Sequence, residues 1–346
     1  MKNSRMLIFI ILVMVFVVRS PLASLAQSTP AGEPIELKLA HMFPVASPSH
    51  QHMEVWGKKI AGDSKGRLKI RIFPSNTLIN APNMYAGVVK GATDIGSAIR
   101  YLPEGYTIGV TFPFLLGAPD TITASRVYDD LWRKFPKVMA EEWKDVKILY
   151  LVPGVPQHLT TRKPLRRLED VKGLQIRVPS KEMGSFIKEL GAAPVFMSTA
   201  DFVIGLEKGT VDGVTQSLGS IPDYKLGKTI RYVLMHSLGV PTPFMLIMNK
   251  DSYNHLPADL QKVIDNSCEW AKEGAIKYWS EEYENAIKYC KDEGIELAYP
   301  SREEKAKLVA IIERNRDKVG ADLDAKGYPG TEIVRFIRER IEHYTK

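Results

Sequence analysis

Arg177 stands in "KGLQIRVPS", residues 172 to 180. Leu174, Ile176 and Val178 alternate on one face of a predicted strand, and Gln175 and Arg177 fall on the other. A strand sandwiched between helices has little exposure on either face. A guanidinium placed there keeps its charge and needs an anion. The charge is met by an internal Asp or Glu, by water at a solvated strand end, or by the carboxylate of a ligand, whose two oxygens match the planar fork. Pro179 ends the strand shortly afterwards, so Arg177 lies near its carboxyl end. Ligands of open α/β sheets bind at such ends.

Other residue types are placed to support a ligand. Phe43 follows the first predicted strand, and Tyr101 follows the strand "TDIGSAI" (93–99). Both can line a cleft or simply pack their loops. Asn80, in "SNTLINAP", can bond a ligand hydroxyl or serve turn chemistry. Pro179 and Thr199 follow strand ends and are candidate walls. His50 and His52 are two residues apart, opposite sides of a helix, and miss the i, i+4 zinc spacing. There is no GxSxG, no P-loop and no Gly-rich dinucleotide turn. We therefore expect no metal, no cofactor and no catalytic residues.

The elements that must position these residues alternate along the chain. Predicted strands cover 35–40, 66–74, 93–99, 146–151, 172–178, 193–197, 210–216, 243–249 and 295–299. Helical spacing fills the gaps, with Ser49 as a candidate cap of the first helix. A long helical pattern runs from Pro257 to Lys291, about 50 Å if unbroken. Cys268 and Cys290 both fall in it, 22 residues apart, about 33 Å, too far to pair. Alternating strands and helices mean α/β architecture. Two such runs, split near Gly154, give two lobes around a cleft.

The chain has 346 residues, 45% hydrophobic and 25% charged, enough for two domains. Lys2 and Arg5 precede an apolar run from Met6 to Val18, and Arg19 closes it. That run is signal-peptide length, well short of the roughly 20 residues that span a bilayer. Cleavage is expected after Ala26, giving an exported, periplasmic protein. The net charge of +7 falls to +4 without the leader. Such an excess does not argue for nucleic acid.

The segments in series carry a resemblance. "LKLAHMFP", "GRLKIRIFPSNTL", "GATDIG", "FPFLL", "LEDVKGLQIRVPS", "LGAAPVFMSTADFVIGLEKGTVDGVTQ" and "MNKDSYNHLPADLQKVI" occur in that order. The chain resembles the dicarboxylate-binding (DctP-like) solute-binding proteins of tripartite ATP-independent periplasmic (TRAP) transporters, over nearly all of its length after the leader. The resemblance implies a periplasmic-binding-protein-like fold of two α/β lobes, joined by crossing strands and a long helix. We place residues 1–26 in a signal peptide. Lobe I takes 33–154 plus about 243–281, and lobe II takes 155–242 plus about 282–346.

It also implies roles. Arg177 occupies the place of the arginine that grips the ligand carboxylate. In the sialic-acid-binding branch a second arginine stands where this chain has Gln157, followed by His158. An asparagine of that branch is replaced here by Gln216. With one positive charge missing, a small monocarboxylate fits better than a dicarboxylate, although Arg100 can supply the second charge. The branch that binds oxo acids through a cation carries a Glu-Trp-type segment that "VDGVTQSLG" lacks. The implied partners are the small and large permease subunits, served by a monomer. The alternatives are a sensor module that docks on a membrane receptor, and an exported enzyme acting on a small acid.

Overall fold

The computed structural model describes residues 33–99, 117–141, 143–179, 181–197, 199–240 and 244–346. Arg100, Tyr101 and the leader lie outside the described residues, as does the side chain of Thr199. The first sheet holds β1 (Ile35–His41), β2 (Leu68–Phe73), β3 (Ile95–Ile99), β4 (Val146–Val152) and β10 (Phe244–Asn249), in the order β2-β1-β3-β10-β4. The second holds β5 (Gln157–Thr161), β6 (Gln175–Val178), β7 (Ala193–Phe196), β8 (Gly213–Ser217), β9 (Tyr232–Leu234) and β11 (Glu296–Ala298), in the order β11-β9-β5-β8-β6-β7.

Each sheet contains one reversed strand, and each reversal has the same cause. β10 runs antiparallel to β3 and β4, and β5 runs antiparallel to β8 and β9. Both strands enter directly from the other sheet, β5 after β4 and β10 after β9. A strand that starts where its neighbours end must run away from that edge. The crossings therefore gather the ends of β3, β4, β8 and β9 at one seam. Phe244 stands level with Ile99 and Val152, and Gln157 stands level with Ser217.

The helices are α1 (Pro48–Asp63), α2 (Met84–Val89), α3 (Thr121–Lys134), α4 (Pro136–Glu141), α5 (Lys181–Glu189), α6 (Thr199–Lys208), α7 (Ser220–Asp223), α8 (Lys250–Asn254), α9 (Ala258–Asp292), α10 (Arg302–Asp324) and α11 (Gly330–Thr345). The Ser47 side chain caps α1 by accepting from the His50 amide, and Pro48 fills the first turn, where no amide is needed. The cap is thus Ser47, two residues before the expected Ser49. Ser49 instead lies buried inside the helix and hydrogen-bonds Tyr278 on α9.

Helix α9 is continuous over 35 residues, about 52 Å long. Leu260, Ile264 and Ala271 pack on the first sheet, while Ala286 and Cys290 pack on the second. One helix is therefore common to both halves. Cys268 and Cys290 are both thiols. Beyond it, Leu308, Ile311 and Ile312 of α10 join the core of the second sheet. Ile333, Val334 and Ile337 of α11 return to the first sheet's core, beside α3. Sequence places the whole stretch from 282 with lobe II, whereas α11 packs on lobe I. Among the described residues no helix is long and apolar enough to cross a membrane.

Candidate functional site

Ile176 and Val178 point into one core of the second sheet, with Leu159 and Phe186. Arg177 points to the other face, which holds Val195, Val214 and Phe202. The strand alternation expected from "LQIRV" is what turns the guanidinium into that layer. Arg177 is only 6% exposed. Its Nε donates to the carbonyl oxygen of Met197 at 3.0 Å, and the guanidinium lies 5.2 Å from the Phe202 ring centroid. Met197 directly follows β7, so a carboxyl-terminal carbonyl orients the cation. Phe202 supplies a face that suits a weakly hydrated guanidinium.

Gln216 shares that face, because Arg177 pairs with Val214 and side chains two apart point alike. Gln216 is 4% exposed. Its Nε2 donates to Thr160 Oγ1 at 3.2 Å, and its Oε1 has no hydrogen-bond partner among the described residues. Opposite it sits His158, stacked on Tyr283 with ring centroids 5.7 Å apart. Burial pushes the His158 imidazole down to about 4, so it is neutral. Its Nδ1–H donates to the Leu234 carbonyl, and its Nε2 accepts from the Tyr283 hydroxyl at 2.7 Å. Tyr283 comes from α9, and no local pattern in the sequence marks it.

Gln157 is placed differently. It pairs with Ser217, so its side chain leaves the opposite face of the sheet from Gln216. Its backbone joins the crossings, donating to Gly239 O and accepting from Leu238 N, both at 2.9 Å. Its Oε1 is likewise buried with no partner among the described residues. Pro179 is exposed just beyond β6, level with Gln216. Asn80 is exposed and caps a 3-10 turn, accepting from the Asn83 amide at 3.2 Å.

Phe43 is 9% exposed at the carboxyl end of β1. Its ring packs on Phe244 at 5.6 Å and on Trp279 of α9 at 6.2 Å. Phe244 begins β10, directly after the second crossing, so this aromatic cluster stands at the seam between the sheets. The structure thus brings Arg177 and Gln216 together on one side of the seam. It sets Phe43, with Phe244 and Trp279, on the other. No cluster of three or more His, Cys, Asp or Glu suited to a metal ion occurs among the described residues.

Residues 39–321 match the DctP family, bacterial extracellular solute-binding protein family 7. The chain belongs to this family. Among relatives of this family-7 chain, the 2,3-diketo-L-gulonate-binding periplasmic protein YiaO of Escherichia coli K12 is 28% identical over 282 residues, covering 80% of this chain and 83% of its own. A TRAP periplasmic solute-binding protein of Desulfovibrio salexigens superposes with a TM-score of 0.75 at 28% identity, over 90% of this chain and 96% of the other. A marine-metagenome TRAP solute-binding protein specific for aromatic acid ligands, solved with metahydroxyphenylacetate, gives 0.77 at 25% identity, over 90% and 100%. The two-lobed α/β fold and the TRAP-type solute-binding class follow.

Proposed function

We propose that this protein binds a small organic monocarboxylate between its lobes and hands it to the membrane subunits of a TRAP transporter. The observation that supports this most is Arg177, a buried guanidinium at the carboxyl end of β6, oriented by the Met197 carbonyl. A guanidinium held in a fixed plane by that bond suits the planar recognition of a carboxylate. Gln216, with a buried acceptor beside it, takes a ligand hydroxyl or amide. The second charge of the sialic-acid branch is an uncharged Gln157 here, which favours one carboxylate over two. The Phe43, Phe244 and Trp279 cluster suits an apolar or aromatic body. A neighbour specific for aromatic acids agrees with that choice.

In this reading no bond is made or broken. Ligand bridges the lobes and shifts the population towards closure. The permease then reads the closed form, and the protein acts as a periplasmic monomer released from its leader. A thermal-shift screen of carboxylic acids, including metahydroxyphenylacetate, tests it, because a ligand that binds only the folded form raises Tm. Wild type should respond to monocarboxylates more than to dicarboxylates, and Arg177→Ala should lose the response. A response in Arg177→Ala equal to that of wild type would remove Arg177 from the site.

A further inference from the structure

The loop that carries Phe43 is held by a directed chain of hydrogen bonds. The Phe43 amide donates to His41 Nδ1 at 3.1 Å. His41 Nε2 lies 3.0 Å from His50 Nδ1, and His50 Nε2 lies 3.5 Å from Glu54 Oε1. His41 is fully buried on β1, and burial, then the neighbouring His50, pushes it down to about 4. It is therefore neutral and carries one ring proton. An amide donor at Nδ1 leaves that proton on Nε2, where it points at His50. His50 Nδ1 must accept it, so a neutral His50 carries its own proton on Nε2, facing Glu54. Every tautomer in the chain is fixed from its inner end.

We infer that His41 is the positioning residue for the Phe43 wall of the ligand cleft, and that its hold requires a neutral His50. A second proton on His50 would sit on Nδ1 and confront the proton on His41 Nε2. His41 can remain neutral and accept that bond only by moving its own proton to Nδ1. There it faces the Phe43 amide, and two donors meet. One proton taken up beside Glu54 thus releases the Phe43 amide at the other end. The remaining contacts on the loop do not depend on this proton: Ser75 N donates to Phe43 O and Asn76 N donates to His41 O, both at 3.0 Å. The titratable groups around the pair are Glu54 on α1 and Tyr278 of α9, which bonds Ser49 and is kept protonated by burial.

The consequence for binding rests on the proposed function, but the test does not use a ligand. Amide hydrogen exchange of Phe43 is followed by NMR in the purified protein from pH 7.5 to pH 5, corrected for intrinsic rates. Wherever the His50 ring nitrogen shifts report the doubly protonated form, loss of one backbone bond should lower the protection by about 3- to 10-fold. His50→Asn places an amide oxygen where Nδ1 was, so it accepts from His41 without titrating. His41→Asn likewise offers an oxygen to the Phe43 amide. Both should keep Phe43 protected across the range. Imidazole nitrogen shifts at pH 7.5 should show the Nε2–H form for His41 and His50. Unchanged protection in wild type once His50 is doubly protonated, an equal fall in His50→Asn, or an Nδ1–H form of His41 at pH 7.5 would each overturn the inference. None of these results depends on whether Arg177 binds a carboxylate.

Discussion

Arg177 of β6 and Met197, the residue after the parallel strand β7, are joined by a 3.0 Å bond from guanidinium Nε to carbonyl oxygen. The bond fixes the plane of a buried cation at the end of its strand. Arg177→Lys keeps the charge but loses both this bond and the fork. Removing a buried, charge-paired group costs about 2–5 kcal/mol, so Arg177→Ala should weaken binding at least about 30-fold. Arg177→Lys should recover only part of it. Calorimetry with whichever acid gives the largest thermal shift measures both, and an unchanged Kd in Arg177→Ala would contradict the role.

Gln216 carries a different expectation. Its Oε1 is buried with no partner among the described residues. A buried polar atom in that state costs about 1–3 kcal/mol. Gln216→Leu removes the orphan acceptor along with the weak bond to Thr160. The variant should melt at or above the wild-type temperature without ligand, yet show a smaller ligand-induced rise. A variant that melts much lower and binds as wild type does would assign Gln216 to the fold alone.

Some of this was legible from sequence and some was not, for physical reasons. β6 announced itself because Ile176 and Val178 alternate against Arg177, and α9 because its apolar residues keep helical spacing. β5 shows no apolar alternation that would mark it as a strand. Its residues Gln157, His158, Thr160 and Thr161 are polar, and the last three bond Tyr283, Gln216, Val214 and Lys163, remote or irregular partners. β9 has only three residues, too few to show a period. Pairings between distant segments, such as Ser49 with Tyr278, leave no local pattern. The same holds for His41 with His50, which join a strand to a helix. The pattern therefore exposed Arg177 but not the groups that hold Phe43.

The last two long helices are tied by Glu313, whose carboxylate receives Arg316 on α10 and Arg338 on α11. Arg316 is 4% exposed while the Glu313 side chain is 30% exposed, so the cation of the pair is buried and its carboxylate only partly so. Removing one member of such a pair leaves a buried charge less well matched. Glu313→Gln should cost about 2 kcal/mol, allowing for its partial exposure, and lower Tm by a few degrees. Glu303→Gln breaks a comparable but exposed pair with Lys307 and should change Tm little. Equal effects in the two variants, read by calorimetry, would show that burial is not what distinguishes them.

Glu282 on α9 lies half-buried near Asp223 of α7, and burial, then the Asp223 charge, pushes its carboxyl up to about 7. The ordinary value is 4.5. Between those limits the folded protein holds a proton that the unfolded chain has released. Its contribution is fully present below pH 4.5 and is lost as the pH rises through about 7. For a half-buried group that loss is on the order of 2 kcal/mol. Glu282→Gln keeps a side-chain partner for Tyr278 and does not titrate. Urea midpoints at pH 5 and pH 8 should therefore differ less in Glu282→Gln than in wild type, with the variant gaining at pH 8. Histidines held neutral by burial, His41 and His158, act in the opposite sense in both proteins and cancel from the comparison. The same pH difference in both proteins would show that Glu282 does not hold its proton in the folded state.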